Sequence, residues 1–229
     1  ANNSSAGTSF TINAATTTGG GGIRAKNYGT GALSITATGT TTGSNGTGIN
    51  GYNSPTSTGN LTINAATTTG SGFGIIATNE GTGALSITTT GTTTGTAFTG
   101  ITASNSAKST GDLTINAATT TGGVYGIHAR NYGTGTLNIT TSGAITGGTG
   151  YGIVALTSAN KTTNITLNSG TVVSSTAGLG IYNNEGNSIT TVNTGASVAG
   201  KIALGKGVDI LNFAGGDFSD VTLFDGGAG

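Results

Sequence analysis

Residues 22–27 read Gly-Ile-Arg-Ala-Lys-Asn, and this hexapeptide decides the fold because versions of it return along the chain at a constant distance. Its isoleucine recurs five times in succession at one interval of roughly 26 residues, and two looser copies follow, the first after a longer and the second after a shorter interval. A unit of this length is too short to bury an apolar face alone, so it must stack on its neighbours. The isoleucines are Ile23, Ile49, Ile75, Ile101, Ile127, Ile153, Ile181 and Ile202.

A second pattern, in which one residue separates two apolar residues, accompanies the first. Its spacing alternates between shorter and longer steps, whereas the isoleucine spacing stays constant. The repeating unit is therefore a pair of turns with loops of different length, short as in NYGTG (27–31) and long as in NSPTSTGN (53–60). The copies are Phe10/Ile12, Leu33/Ile35, Leu61/Ile63, Leu85/Ile87, Leu113/Ile115, Leu137/Ile139 and Ile165/Leu167, with Val192 as a weaker eighth.

Each unit is predicted to form three short strands: Leu-x-Ile, a middle strand inside TTTG or GAITG, and Gly-Ile-x-Ala-x-Asn. These stretches alternate with a period of two, are rich in β-branched residues and are bounded by glycine, whereas no stretch has the 3.6-residue period of a helix. Stacking like on like predicts an all-β parallel β-helix (β-solenoid) of about eight coils of roughly 26 residues. Residues 1–160 are predicted to form regular coils, and residues 161–229 less regular coils with an acidic, glycine-rich end.

The composition narrows the function classes. Of the 229 residues, 45 are glycine and 6% are charged, with seven basic and seven acidic side chains and no cysteine. We expect the glycines at corners that need a positive φ. So few cations cannot neutralise a run of phosphates, and no apolar stretch approaches the ~20 residues that cross a bilayer, so we expect neither nucleic-acid binding nor membrane insertion of this segment.

An asparagine follows the repeat isoleucine by four residues in five consecutive coils. The equivalent positions predict an inward ladder of side-chain amides that hydrogen-bond along the solenoid axis. The ladder is expected to stop at Thr157 and Glu185, where the structure should become irregular. The ladder residues are Asn27, Asn53, Asn79, Asn105 and Asn131.

The repeats in residues 111–143, GDLTINAATTTGGVYGIHARNYGTGTLNITTSG, and the stretch at 207–229 resemble the passenger regions of autotransporter (type V secreted) surface proteins of Gram-negative bacteria. This resemblance implies a right-handed β-helix, export to the cell surface, and roles in adhesion, aggregation or biofilm formation. It also implies ligands on host cells, matrix or neighbouring cells, and it makes residues 1–229 one solenoid segment of a longer chain. The predicted function is a stalk or shaft of an extracellular adhesin-like protein.

Enzymatic chemistry is not expected. His128, the only histidine, follows an inward isoleucine and should point outward as a solvated side chain. The carboxylates of Glu80, Asp112 and Glu185 fall at three different coil positions, which argues against a paired-carboxylate site. No cofactor is predicted.

Calcium is a weaker possibility near the C-terminus. The stretch from Gly205 to Leu211 partly matches the nonapeptide G-G-x-G-x-D-x-U-x, in which stacked turns share a calcium ion, and it makes Asp209 a candidate ligand. Leu204 replaces the first glycine, and the site would need a second copy one turn away. An ordinary glycine corner is the favoured interpretation.

Two alternatives remain for the surface and the ends. Thr-x-Thr occurs in five successive coils, and Ile145 and Val172 at the middle position suggest that the flanking threonines point outward, as in ice-binding solenoids. Exposed threonine-rich strands are also what any soluble parallel sheet requires, and this is the favoured interpretation. Unpaired strand edges at open ends could also stack one chain axially on another in a self-assembling fibre. The threonines are Thr16, Thr18, Thr40, Thr42, Thr67, Thr69, Thr92, Thr94, Thr119 and Thr121.

Overall fold

The computed structural model describes residues 1–228, and every regular element in this range is a β-strand. The strands pair in parallel with their counterparts in the coils above and below, and they form three sheets of ten, nine and eight strands. The predicted all-β parallel solenoid is confirmed, with about nine coils in place of eight. Nine strands spaced by ~4.8 Å make a rod about 40 Å long.

Sheet A contains the repeat isoleucines. Six of them, from Ile23 to Ile153, pair in register, and Ile181 and Ile202 continue the column. The strands are β1 (Asn2–Asn3), β4 (Ile23–Asn27), β7 (Ile49–Asn53), β10 (Ile75–Asn79), β13 (Thr99–Asn105), β16 (Tyr125–Asn131), β19 (Ile153–Thr157), β22 (Leu179–Asn183), β25 (Gly200–Ala203) and β27 (Val221–Asp225).

Sheet B holds the apolar pairs of the second pattern, whose leucines and isoleucines point into the core. Its strands are β2 (Phe10–Ala14), β5 (Leu33–Ala37), β8 (Leu61–Ala65), β11 (Leu85–Thr89), β14 (Leu113–Ala117), β17 (Leu137–Thr141), β20 (Thr162–Leu167), β23 (Asn187–Asn193) and β26 (Asp209–Ala214).

Sheet C is the narrowest, because most of its strands have only three residues. Its strands are β3 (Thr17–Gly19), β6 (Thr41–Gly43), β9 (Thr68–Gly70), β12 (Thr93–Gly95), β15 (Thr120–Gly122), β18 (Ile145–Gly147), β21 (Val172–Ser175) and β24 (Ser197–Val198).

The last predicted copies of the apolar pattern lie two residues too late. Leu137 pairs with Thr163, not Ile165, and Ile139 pairs with Ile165. The leucine column of sheet B becomes polar at this point and continues through Ser188 to Asp209. A prediction based on apolar residues therefore misses this column, because its side chains change from leucine to hydroxyl and carboxylate groups.

The middle position of sheet C also differs from the prediction by one residue. Val173 pairs with Ile145 and is fully buried, whereas Val172 is 44% exposed. From Thr41 to Thr120 the threonines that precede these residues in the same column are buried as well, and the hydroxyls of three of them have no hydrogen-bond partner. Those three are Thr41, Thr68 and Thr93.

Most glycines within the regular coils, residues 1–160, do not serve positive-φ corners, and this expectation was wrong. Ten glycines of the described chain have positive φ, and Gly22 is the only one of them before Gly170. Elsewhere the backbones pass too close for a side chain: a Cβ at Gly95 would lie inside van der Waals contact with the Thr99 carbonyl oxygen. Close approach, not dihedral freedom, explains glycine at such positions.

Candidate functional site

The threonine arrays lie on the outer side of sheet C. One column is paired in register from Thr18 to Thr121 and continues to Thr146. The second, from Thr16 to Thr119, lies at the position before each strand, where threonine carbonyls from Thr40 onward accept hydrogen bonds from the adjacent coil. The side chains of both columns are exposed or half-buried.

The five predicted ladder asparagines are all buried in one column of sheet A. The amide of Asn27 donates to Asn53 Oδ1, and that of Asn79 donates to Asn105 Oδ1, both at 3.2 Å. Asn3 adds a rung that sequence reasoning missed, since its amide donates to Asn27 Oδ1 at 2.8 Å.

The ladder is interrupted after each long loop. Within the described chain, the amides of Asn53 and Asn79 are not bonded to each other, because Asn53 donates to the Gly59 carbonyl of its own loop. Buried Ser57, in the long loop, donates to the Gly31 carbonyl, which also accepts from Asn27. Side-chain hydrogen bonds therefore join each short-loop coil to the long-loop coil that follows it.

The ladder ends at Thr157 with a substitute contact. The side-chain amide of Asn184 accepts from the Thr157 N–H at 2.8 Å and donates to the Thr157 carbonyl at 3.2 Å. The Thr157 hydroxyl donates to the carbonyl of Glu185. A side-chain amide thus pairs with the backbone where the regular column stops.

The calcium candidate Asp209 begins β26 and continues the leucine column of sheet B. Its Oδ1 accepts from the backbone N–H and the hydroxyl of Ser188, at 2.9 and 2.6 Å, and its Oδ2 is buried without a partner. Within residues 1–228, no group of three or more His, Asp or Glu side chains could hold a metal ion. A calcium ion needs about six or more oxygen ligands, whereas Asp209 supplies one carboxylate whose Oδ1 already accepts two hydrogen bonds from Ser188. The contact of Asp209 with Ser188 is therefore better described as a structural hydrogen bond than as a calcium site.

The remaining charged groups are dispersed. Glu80 Oε2 accepts a hydrogen bond from the Tyr52 hydroxyl at 2.8 Å, and burial together with this bond raises the pKa of Tyr52 to about 12. The other two carboxylates considered in the sequence, Asp112 and Glu185, lie elsewhere: Asp112 accepts from the Thr136 N–H and Glu185 lies 3.6 Å from Lys206 Nζ.

His128 differs from the solvated side chain that was expected. It is half-buried on the outer side of sheet A, with its ring edge-on to Tyr125 at a centroid distance of 5.0 Å. Burial, together with the nearby Arg130 charge, lowers the pKa of His128 to about 4. The imidazole is therefore neutral at pH 7.

A shallow groove with a volume of about 390 Å³ surrounds His128. The residues that line it include Phe73, Ile76, Phe98, Tyr125, His128 and Arg130. Sequence reasoning missed this groove because it followed positions that repeat. The groove could have been found from positions where the repeat is broken. Two or three residues before the repeat isoleucine, Phe73, Phe98 and Tyr125 replace the glycine or threonine that other coils have there.

A scan against family models found no matching family, and searches of curated proteins and of solved structures found no similar chain. Within the described residues, no helix is long and apolar enough to span a bilayer.

Proposed function

We propose that the chain is a non-enzymatic shaft of an extracellular, adhesin-like bacterial surface protein. The observation that carries the proposal is the continuity of the three parallel sheets, in which each strand pairs with its counterpart in the next coil from one end of the rod to the other. Three hydrogen-bonded ladders around one axis resist bending, and they hold whatever is joined to the rod at a fixed distance.

The order of contacts along the chain supports export. Each coil pairs only with the coil before and the coil after it, so a chain that emerges gradually can fold coil by coil onto the part already formed. The resemblance to autotransporter passengers adds the cell surface as the location. We take the winding to be right-handed, as nearly all parallel β-crossover-β connections are.

The shaft proposal is tested by changing the number of coils. Each extra copy of the coil pair 79–130 should lengthen the particle by about 10 Å in small-angle X-ray scattering, at unchanged cross-section. Displayed on a Gram-negative host, the longer forms should hold a terminal reporter domain farther from the outer membrane. Particles that broaden without lengthening would contradict a shaft, and growth of particle mass with concentration would favour the axial fibre.

A second candidate function rests on the two outward threonine columns of sheet C. They place hydroxyl and methyl groups at intervals of about 4.8 Å along the axis and about 6.6 Å along each strand, which is a regular grid of the kind that could order water. Thermal hysteresis that disappears in Thr69→Lys would support ice binding. Crystals of ice that grow unshaped in the presence of the protein would remove it.

A further inference from the structure

The groove on the outer side of sheet A carries aromatic and apolar side chains in place of small polar ones. Its aromatic and apolar members come from three successive coils, with Phe73 and Ile76 in one, Phe98 in the next and Tyr125 in the third. Its volume of about 390 Å³ lies within the range of small-molecule sites. It is open along one side, so it suits a ligand that lies on the surface.

The aromatic rings form a supported platform. Phe73 and Phe98 stack with centroids 5.0 Å apart and planes inclined by 27°, and Phe98 remains 50% exposed. The Tyr125 ring occupies space that a glycine in the next coil leaves free, because a Cβ at Gly150 would overlap it. Exposed aromatic faces carry negative potential and attract polarised C–H groups, such as those on one face of a sugar ring.

Polar groups border this platform on one side. His128 contacts Tyr125, and as a neutral imidazole it offers one donor and one acceptor. Arg130 lies two residues farther along the same outward face, and in register it is flanked by uncharged Ser104 and Leu156. The two salt bridges found within residues 1–228 involve other residues, so the Arg130 guanidinium has no carboxylate partner in the described chain.

We propose that the groove binds a glycan through a sugar residue that carries a carboxylate. The C–H face of the ring lies on the exposed face of Phe98, which Phe73 supports by stacking on it, and the carboxylate pairs with Arg130 in the bidentate geometry that guanidinium favours. A single cation fits one carboxylate, whereas a sulfated polyanion would require a row of cations. An acyl chain would require an enclosed cavity, and this groove is open.

The site goes beyond the shaft proposal and does not depend on it. A shaft with this groove would bind the ligand on its side. Loss of the groove would leave the length of the shaft unchanged. Scattering measurements on the same samples therefore separate failure of the groove from failure of the rod.

The test is calorimetric titration of the full chain with carboxylated oligosaccharides, namely oligogalacturonate and sialyllactose. We expect at least one of them to bind. The methyl ester of that sugar, which has the same ring without the charge, should bind at least tenfold more weakly. Absence of binding by both acids at about 10 mM, or equal binding of acid and ester, overturns the proposal. Tighter binding of oligoglutamate than of either sugar overturns it in favour of an acidic peptide.

The variants separate the two halves of the site. Arg130→Gln should weaken binding of the acid at least tenfold and leave binding of the ester unchanged, whereas Phe98→Ala should weaken both. Lys26→Gln is the matched control, because Lys26 occupies the same column of sheet A as Arg130 but lies outside the groove. Phe98→Tyr keeps the ring and should keep binding. Full affinity in Arg130→Gln, or an equal loss in Lys26→Gln, contradicts the assignment.

Discussion

Residues 1–160 and residues 161–228 wind through the same three sheets, but they use glycine for different reasons. In the first region the chain passes so close to itself that a Cβ has no room, as at Gly95 beside the Thr99 carbonyl. In the second region nine glycines have positive φ: at Gly178, with φ of 70°, the dihedral is the only constraint, whereas at Gly200, with φ of 89°, a Cβ would also clash with the Gly178 carbonyl. One residue type thus satisfies a packing constraint in regular coils and a dihedral constraint in irregular ones.

The interiors of the two regions differ in a corresponding way. In the first, one column of sheet B holds leucine in five consecutive coils, while the inward column four residues farther along each strand holds alanine and threonine. In the second, the leucine column becomes Thr163 and Ser188, and the alanine and threonine column grows to Leu167 and Val192. Apolar volume has moved from one column to the other, so the core stays filled although its pattern is lost.

The largest expected effect separates the two uses of glycine. Gly95→Ala should destabilise the protein by about 3 kcal/mol, because backbone atoms cannot give way easily. Gly178→Ala should cost about 1–2 kcal/mol, because nothing lies within 4 Å of the new Cβ and only the left-handed conformation opposes it. Urea unfolding followed by circular dichroism measures both.

Three further substitutions sharpen this test. Asparagine tolerates the left-handed region, so Gly178→Asn should recover most of the loss, whereas Gly95→Asn should recover none. Gly46→Ala, at an open position without positive φ, should be neutral or slightly stabilising. Recovery by asparagine at both sites would mean that the two regions do not differ as described.

The next effect concerns the buried amides. Asn79→Ala should cost about 2 kcal/mol, because it removes the donor to Asn105 Oδ1 and one of two donors to the Gly83 carbonyl. Asn183→Ala in the second region should cost about 1 kcal/mol, since Asn183 donates only to the Leu204 carbonyl, whereas Asn79 donates to two acceptors; the Oδ1 atoms of both residues are without a partner. Asn64→Ala, at an exposed position, is the control, and equal losses at residues 79 and 183 would contradict a ladder contribution.

A smaller effect has the opposite sign. Thr68→Val should stabilise the protein by about 1 kcal/mol, because it replaces a buried hydroxyl without a partner by a methyl group. Val173→Thr, in the same column of the second region, should destabilise by a similar amount. Thr69→Val, on the outer side, should leave the urea midpoint unchanged, and a loss of stability in Thr68→Val would show that its hydroxyl has a partner in solution.

The smallest expected effect is a pH dependence that distinguishes the regions. The pKa of His128 falls from 6.5 to about 4 on folding, so the unfolded chain takes up a proton between these values that the folded chain does not. The stability of the folded protein is therefore unaffected by the protonation of His128 above pH 6.5 and falls as the pH drops toward 4. The loss is less than about 1 kcal/mol because the ring is partly solvated.

The second region should lose stability at lower pH. Lys201, 3.0 Å from Asp225, holds the pKa of that carboxyl below 3.8, so the stability that this pair contributes is present above pH 3.8 and is lost as the pH falls through the lower folded value.

Urea midpoints of the wild-type protein and His128→Gln, measured from pH 7 to pH 3, test the contribution of His128 and should differ in slope only between 6.5 and 4. Parallel curves across that interval would contradict the assignment.

The sequence predicted whatever repeats. The constant interval between copies of the hexapeptide was enough to place the isoleucine column and to identify the paired loops, because identical side chains stack in identical positions. It failed where the repeat is broken. The polar column at Thr163, Ser188 and Asp209 is held by backbone pairing and by the hydrogen bonds from Ser188 to Asp209, and no apolar pattern marks it. The groove arises from aromatic residues that replace glycine or threonine at two different positions of the repeat. Contacts of that kind depend on which coils become neighbours, so a periodic pattern cannot show them.

The side-chain links between short-loop and long-loop coils have a consequence for how such a chain can change length in evolution. Gain or loss of one coil would bring together two loops of the same kind and sever the bonds that join Asn27 to Asn53 and Ser57 to Gly31. Gain or loss of two coils restores every one of them. Recombination between repeats should therefore leave surviving variants whose lengths differ by even numbers of coils. The surface of one coil pair would then be gained or lost as a single unit.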